Sequence, residues 1–257
     1  MRNKHATVSR RKSILQMVNE NSEVFVDELS NLFSVSEVTI RNDLDQLEKK
    51  QLLIRARGGA MKFEGRVGID LELSSKDKIH LDEKIRIGKK AAELVKDGDI
   101  ILIDSGTTTA EMVKNLDGIK NLTVITNAIN IVILLMNKPN VNLIIPGGFL
   151  RQNSQSLVGP MAEKGLKNLN VDKVFLGADG FDTSIGLYTP NLEEAQFNEK
   201  MIQISKEIIA LTDSTKFSRR SFAFFCDVSD VTTVVTDAIE PQDRAKLDEH
   251  NVEILLA

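Results

Sequence analysis

Cysteine and histidine are scarce in this chain, and neither is arranged as a metal site would require. The single cysteine, Cys226, cannot form a disulfide within one chain, and the three histidines lie far apart at His5, His80 and His250. Zinc sites need such ligands clustered at short spacing. We therefore expect no metal, no cofactor and no redox role for the thiol, and a reducing cytoplasm as the compartment.

Long apolar segments are also missing. The longest run of large apolar residues, Ile131–Met136, is far shorter than the roughly 20 residues that span a bilayer. The basic start, Met1–Lys4, is not followed by the apolar segment of a secretory signal. The sequence thus predicts no membrane segment, and its 257 residues suit one large domain or two.

The net charge of −4 argues against nucleic-acid binding only while it is taken as a whole. Residues 1–62 hold 11 lysines and arginines and 8 aspartates and glutamates, a net charge of +3, whereas the remaining residues carry −7. A small basic segment on a larger acidic one suggests that the smaller part binds nucleic acid. A charge of +3 over 62 residues can also arise by chance, so the residue pattern must decide.

The basic segment shows the pattern of a helix-turn-helix. A first helix is expected from Ser9, a short second helix over Asp27–Ser34, and a third over Ser36–Lys50 with Ser36 as its cap. The buried face of the third helix has apolar residues at helical spacing: Ile40, Leu44 and Leu47. The alternative is a generic three-helix bundle.

The exposed N-terminal turn of the third helix favours DNA over that alternative. Arginine pairs with guanine, asparagine with adenine, and a valine or threonine methyl contacts thymine. The hydroxyls and the helix N-terminus suit phosphate. The candidate DNA-binding residues of this turn are Ser36, Val38, Thr39, Arg41 and Asn42.

A hairpin follows the third helix. Leu52–Met61 alternates apolar and basic residues around a Gly58-Gly59 turn. Arg55 and Arg57 stand two residues apart, so they project from the same face of a strand. After a helix-turn-helix, such a hairpin is interpreted as a wing that contacts the phosphates of double-stranded DNA, although two solvated arginines on an ordinary hairpin would show the same pattern.

These stretches resemble the N-terminal domain of the DeoR family of bacterial transcriptional regulators. The matching segments are Val35-Ser36, Thr39–Leu44, Leu47-Glu48 and Arg55 through Gly58–Ala60. Asn42 stands where the family more often has arginine, and Arg57 where it often has histidine. The operator sequence therefore does not follow from the resemblance.

The rest of the chain predicts a linker and an α/β domain. Residues 63–80 are polar without a sustained apolar period, which predicts a linker. Residues 81–257 alternate helices with continuous apolar strands, the pattern of a mostly parallel sheet covered on both faces. The fold class is α/β, with an N-terminal winged helix-turn-helix over 1–62.

Ligands of such sheets bind at the carboxyl ends of the strands, so these ends supply the candidate effector site. Asp104–Thr108 follows the first strand and has the glycine, hydroxyls and helix start of a phosphate-binding loop. Hydroxyl and amide donors with Lys216 or Arg151 suit a phosphate, while Asp179 and Glu194 suit sugar hydroxyls. The candidate residues are Asp104, Ser105, Gly106, Thr107, Thr108, Asn127, Gly147, Gly148, Arg151, Asp179, Gly180, Glu194 and Lys216. Each alone is more often a turn former or helix cap than a ligand contact.

The resemblance extends to this domain. Asp104–Thr108, Gly147-Gly148, Gly177–Gly180, Glu194-Ala195 and Asp213–Lys216 are similar to motifs of the DeoR-family effector domain. It implies a fold similar to ribose-5-phosphate isomerase and a phosphorylated sugar as effector. Thr39–Leu44, Ser154–Ser156 and Asn191–Ala195 most resemble regulators of N-acetylgalactosamine and amino-sugar use.

The resulting hypothesis is a repressor that binds operator DNA as a homo-oligomer, a dimer or tetramer, and is not an enzyme. The alternative is a sugar-phosphate isomerase with an accessory helix-turn-helix, in which Asp179, Asp182, Glu194 and Lys216 supply acid and base groups. No catalytic residue is assigned in the favoured hypothesis.

Overall fold

The structure is a computed structural model that describes residues 2–21, 23–49, 52–56, 58–62 and 70–257. Its contacts divide the chain into two compact units, residues 1–66 and 67–257.

The first unit consists of three helices and a three-stranded sheet. The helices are α1 (Arg2–Asn21), α2 (Val26–Phe33) and α3 (Glu37–Lys49). The strands are β1 (Glu23–Phe25), β2 (Leu53–Ala56) and β3 (Gly59–Lys62). Ile14, Val18, Leu29, Ile40 and Leu44 are fully buried between the helices. The predicted helix-turn-helix with its wing is therefore present.

The turn and the wing both depend on local backbone geometry. Ser34 adopts a left-handed conformation (φ 49°) at the end of α2, and the Ser30 hydroxyl donates to the Val35 carbonyl at 2.6 Å. In the wing, β1 pairs with β3, a third strand that the sequence pattern does not predict. Gly59 is required there because an added Cβ would lie 2.1 Å from the Val24 carbonyl oxygen.

The second unit is built on a seven-stranded parallel sheet. Its strands are β4 (Ile100–Ile103), β5 (Leu122–Thr126), β6 (Val141–Ile144), β9 (Val171–Gly177), β12 (Ser205–Leu211), β14 (Thr233–Thr236) and β15 (Glu253–Leu256). Helices pack on both faces: α5 (Leu81–Ala92), α6 (Thr107–Val113), α7 (Ile129–Leu135), α8 (Pro160–Gly165), α9 (Leu192–Gln203) and α10 (Pro241–Glu249). Two buried apolar clusters, one that includes Phe197 and one that includes Ile131, lie on the two faces of the sheet. The predicted fold class is confirmed.

The strand order reverses in the middle of this sheet. The order is β15-β14-β12-β9-β4-β5-β6, so the chain adds β5 and β6 on one side of β4 and then returns to place β9 on the other side. Ile103 of β4 lies opposite Phe175 of β9. A crevice opens at such a reversal because the two chain segments leave the sheet in opposite directions.

Short antiparallel strands are the main difference from the sequence prediction. They are β7 (Phe149–Arg151), β8 (Ser156–Val158), β10 (Gly180–Asp182), β11 (Gly186–Thr189) and β13 (Ala223–Asp227). With three to five residues each, they are too short to show a period.

The segment before α5 also differs from expectation. Residues 63–80 are predicted as a linker, but residues 70–80 pack on the second unit and include a short helix, α4 (Leu73–Lys76). The Leu73 amide donates to the Asn153 carbonyl at 2.7 Å, and Leu73 itself is buried. Among the described residues, no helix is long and apolar enough to cross a membrane.

Candidate functional site

The N-terminal turn of α3 presents the residues predicted to contact DNA. The Ser36 hydroxyl accepts from the Thr39 amide at 3.3 Å and lies 3.0 Å from the Thr39 hydroxyl. Ser36 therefore caps the helix. Val38, Arg41 and Asn42 are exposed. The Arg41 Nη2 bonds to the Glu37 carboxylate one helical turn earlier, at 2.7 Å. Because this pair is exposed to solvent, a phosphate or base can replace Glu37 as the partner of Arg41.

A buried ion cluster holds α3 against α1. The Asp43 carboxylate, 2% exposed, accepts from the Arg10 Nε at 2.6 Å and from the Arg11 Nε at 2.7 Å. A buried carboxylate needs such partners, and removing either side leaves an uncompensated charge. The cluster therefore fixes the position of the exposed face of α3 within the first unit.

Arg55 has a different immediate environment from the one expected. Its Nε donates to Asp45 of α3 at 2.9 Å and its Nη1 donates to the Gly59 carbonyl at 2.6 Å. Its amide also donates to Glu48 at 2.7 Å. These contacts tie the wing to α3, while its predicted DNA contact stays a prediction. Arg57 lies outside the described residues.

A cavity of about 100 Å³ lies at the strand reversal of the second unit. It is lined by the segments that follow three strands of the sheet: Asp104–Thr108 after β4, Ala178-Asp179 after β9, and Thr212-Asp213 with Lys216 after β12. Glu194 and Asn198 of α9 and Lys84 of α5 complete its wall, together with the segment before α5. We call this cavity the switch-point pocket.

The loop after β4 contributes every residue predicted for it. Asp104, Ser105, Gly106, Thr107 and Thr108 all line the pocket. The loop is held by Thr109, whose hydroxyl lies 2.9 Å from the Asp104 carbonyl and 3.1 Å from the Gly106 carbonyl. Gly106 has an extended backbone (φ 175°) that any residue can adopt, so the loop does not depend on a left-handed glycine.

Three lysines face one side of the pocket: Lys76, Lys84 and Lys216. Burial lowers the pKa of Lys84 to about 8, with the positive charges of Lys216 and Lys76 acting in the same direction and Asp213 opposing them. Burial alone would raise the pKa of Asp179, but the ammonium groups of Lys76, Lys216 and Lys84 together bring it below its usual value. This side therefore concentrates positive charge around one carboxylate.

The other side of the pocket is acidic and rich in hydrogen-bonding groups. Burial raises the pKa of Asp104 to about 8, and the negative charge of Glu194 adds to the shift. The Glu194 carboxylate accepts from the Thr189 hydroxyl at 3.1 Å and from the Arg151 Nη1 at 3.0 Å. The Asn198 amide donates weakly to Asp104 at 3.4 Å. Near neutral pH, Asp104 can thus act as a donor, and Glu194 as an acceptor.

Several predicted effector residues do not line this pocket. The Asn127 amide donates to the Leu157 carbonyl at 3.0 Å, and Gly180 pairs with Tyr188. Gly147 and Gly148 have positive φ angles of 83° and 125° in the turn before β7. Arg151 does not line the pocket itself. It bonds to Glu194, which does, and to Asp70. The structure does bring together Asp104–Thr108, Asp179, Glu194 and Lys216.

The polar residues that the sequence interpretation missed share one signal. Asp43, Lys84 and Asn198 have polar side chains, yet each is buried on the apolar face of its helix. Lys84 precedes Ile87 and Ala91 by three and seven residues, and Asn198 lies three residues after Ala195 and three before Met201. A charged or amide residue in an apolar stripe is therefore the pattern that would have revealed them. Lys76 shows no such pattern.

Family models match both units. The DeoR-like helix-turn-helix domain matches residues 10–64, and the DeoR C terminal sensor domain matches residues 79–238. This chain belongs to the DeoR family.

Relatives support this membership over nearly the whole chain. The chain is 37% identical over 95% of its length to the uncharacterized HTH-type transcriptional regulator YulB of Bacillus subtilis, of which it covers 95%. It is 35% identical over 97% of its length to a putative aga operon transcriptional repressor of Escherichia coli O157:H7, of which it covers 94%. The HTH-type transcriptional repressor GlcR of Bacillus subtilis is 32% identical over 95% of this chain and 94% of its own length.

These relatives are regulators, and this DeoR-family chain is a transcriptional regulator with a DNA-binding and a sensor domain, not an enzyme. The alternative of an isomerase with an accessory helix-turn-helix does not agree with them.

Among solved structures, the chain is similar to ribose 5-phosphate isomerase A from Methanocaldococcus jannaschii. The match covers 54% of this chain and 55% of the isomerase chain, with 22% identity and a TM-score of 0.41.

Replacing Asp104 with asparagine should change how stability depends on pH. In the folded chain Asp104 keeps its proton to about pH 8, whereas an unfolded aspartate releases it near pH 4. The wild type therefore loses stability as the pH rises through this interval, and Asp104→Asn does not. The melting temperature of Asp104→Asn minus that of the wild type should increase from pH 5 to pH 8.

The exposed Asp117 offers a matched control for this measurement. Asp117→Asn changes the same group at a side chain that is 81% exposed and pairs at the surface with Lys138, and its melting-temperature difference should change less with pH than that of Asp104→Asn. A constant difference for Asp104→Asn would contradict the assignment.

Proposed function

We propose that this chain is a cytoplasmic repressor whose first unit binds double-stranded operator DNA and whose second unit binds a sugar phosphate that alters operator affinity. The observation that carries the proposal is the switch-point pocket, which is lined by three lysines together with acidic and hydroxyl groups. A ligand with an anionic end and several hydroxyls matches both sides at once.

The lysine side of the pocket suits the phosphate. A phosphate carries about two negative charges and accepts several hydrogen bonds, and Lys84 and Lys216 can approach it together. Lys84 is 5% exposed, so its ammonium lacks the solvation it has in water and gains more from an anionic partner than a surface lysine would. The backbone amides of Gly106–Thr108 add further donors in the same pocket, whereas the Ser105 amide already donates to the Asp104 carboxylate.

The carboxyl groups of the pocket suit the sugar hydroxyls. Asp179, which lies among the lysines, and Glu194, on the acidic side, accept hydrogen bonds, and Asp104 can donate one while it is protonated. Recognition through both donors and acceptors discriminates between sugars because a missing hydroxyl leaves a buried group unpaired. Whether the sugar is an amino sugar, as the resemblance suggested, stays a prediction, and amino-sugar phosphates belong in the ligand panel.

The exposed turn of α3 supports operator binding. Thr39, Arg41 and Asn42 lie near the start of α3, and the N-terminal residues of a recognition helix are those that contact base edges in helix-turn-helix proteins. The Asp43 cluster holds this turn, and the contacts of Arg55 hold the wing beside it. Helix-turn-helix proteins commonly bind two half-sites about one helical turn apart, which requires two copies of the chain.

A large apolar surface on the second unit suits a second copy of the chain. It lies along the β6 edge of the sheet and the elements beside that edge. Its exposed residues are Ile133, Met136, Ile145, Phe149, Leu150, Met161 and Leu192. Exposed apolar side chains gathered on neighbouring elements mark an interface more often than a monomer's solvent face. We assign it to homo-oligomerisation because operator half-sites require a paired chain.

The ligand class can be tested by thermal shift. Hexose 6-phosphates, ketose 1-phosphates and amino-sugar phosphates are compared with the same sugars without phosphate. A true ligand at 100 times its dissociation constant should stabilise the sensor unit by about 2.7 kcal/mol. Lys84→Met should remove this stabilisation because it keeps the size of the side chain but removes the cation.

Lys206→Met is the matched control, because Lys206 is exposed and pairs only at the surface with Asp172 at 2.8 Å. It should bind the ligand like the wild type. Equal stabilisation by unphosphorylated sugars, or full binding by Lys84→Met, would contradict a phosphate site at these lysines.

Base recognition by Asn42 can be tested with a duplex that the wild-type chain enriches from a random library. Asn42→Ala should weaken binding to this duplex by about 1–3 kcal/mol while binding to random DNA changes little. Asn21→Ala changes the same residue type at the exposed end of α1 and should leave both affinities unchanged. Equal losses on the enriched and the random duplex for Asn42→Ala would exclude a base-reading role.

The oligomeric interface can be tested by light scattering of the full chain. The wild type should have the mass of a dimer or tetramer, and Phe149→Asp should lower it, because Phe149 is 70% exposed in β7. Leu256→Asp places the same charge on an apolar side chain that is 52% exposed in β15, at the opposite edge of the sheet from β6, and should leave the mass unchanged. An unchanged mass for Phe149→Asp would remove this surface from the interface.

A further inference from the structure

Residues 70–80 cross the switch-point pocket, and we call them the strap. Five of them line the pocket: Leu71, Leu73, Lys76, Ile79 and His80. In the sequence, the strap follows the DNA-binding unit after residues 63–69. It is therefore the described part of the sensor unit that is nearest in sequence to the DNA-binding unit.

Ionic contacts join the strap to both carboxylates proposed to bind the sugar. Lys76 donates to the Asp179 carboxylate at 2.6 Å. Asp70 pairs with Arg151, which in turn bonds to Glu194 at 3.0 Å. The strap is thus bonded to Asp179 directly and to Glu194 through one intervening arginine.

The C-terminal end of the strap is also tied to a pocket residue. The Lys84 ammonium donates to the Lys76 carbonyl at 2.7 Å. His80, at the junction with α5, has a left-handed backbone (φ 52°), which is uncommon for a residue other than glycine. The strap is consequently fixed at discrete points rather than by a continuous ladder of backbone bonds.

We propose that the strap transmits effector binding to the DNA-binding unit, with Lys76 as the residue that responds. The inference rests on the proposed effector function. A sugar hydroxyl that donates to Asp179, or a phosphate that attracts Lys76, competes with the Lys76–Asp179 ion pair. Effector binding and the anchored strap therefore exclude each other at this point.

The accessibility of the pair suits such a competition. The side chains of Lys76 and Asp179 are 23% and 27% exposed, and Asp179 also has the ammonium groups of Lys216 and Lys84 beside it, so its charge stays compensated when the pair separates. A contact of this kind can exchange partners at small cost, unlike the buried Asp43 cluster of the first unit. Two states follow, strap anchored and strap released, and the effector favours the second.

The proposal can be tested on the full chain without any effector. Lys76→Met, Asp179→Asn and the double variant all break the ion pair, and Lys206→Met with Asp172→Asn break a comparable surface pair of the same unit. Two quantities are measured: hydrogen exchange of peptides covering the strap, and affinity for the duplex enriched by the wild type.

We expect faster exchange in residues 70–80 for all three strap variants. Their DNA affinity should change by about 5-fold or more, in one direction, although none of the altered residues lies in the DNA-binding unit. The double variant should match the single variants because all three remove the same contact. The control pair should leave both quantities unchanged.

Three results would overturn the proposal: unchanged exchange in the strap, unchanged DNA affinity despite faster exchange, or an equal change in the control variants. Because no sugar phosphate is used, these outcomes are separate from a failure of the ligand screen. A chain that shows strap coupling but binds no sugar phosphate would retain the strap and require a different effector.

Discussion

The strand order of the parallel sheet is the constraint on which the sensor unit depends. Because β9 returns to the far side of β4, the segments after these two strands separate and leave a crevice between them. That crevice collects Asp104–Thr108, Asp179 and, from the next strand, Lys216. Residues that are more than 100 positions apart thereby form one pocket, and the strap crosses the opening that the same reversal creates.

The two units use charged contacts in opposite ways. In the first unit, Asp43 is buried between Arg10 and Arg11, and such a cluster cannot separate without leaving a charge unsolvated. It suits a surface that must stay in one arrangement to recognise DNA. In the second unit, the Lys76–Asp179 pair is partly exposed and surrounded by other charges. It suits a contact that changes partners when a ligand arrives.

The sequence predicted those parts of the fold that have a clear period or a local motif. The helix-turn-helix followed from Ile40, Leu44 and Leu47, and the parallel sheet from runs such as Ile100–Ile103. The loop Asp104–Thr108 followed from its place after a strand. The strap could not be predicted, because Lys76 and Asp179 are 103 residues apart and the segment has no apolar period. Likewise, Lys84 resembles any helical lysine unless its place on the apolar face is noticed.

The central claim is that one site in the sensor unit and the DNA-binding surface affect each other. Its most direct test is the affinity of the full chain for the sugar phosphate that stabilises it most, measured by calorimetry with and without the saturating enriched duplex. The two affinities should differ by the same factor by which that sugar phosphate changes DNA affinity, since coupling is reciprocal. Equal affinities in the two measurements would contradict the claim.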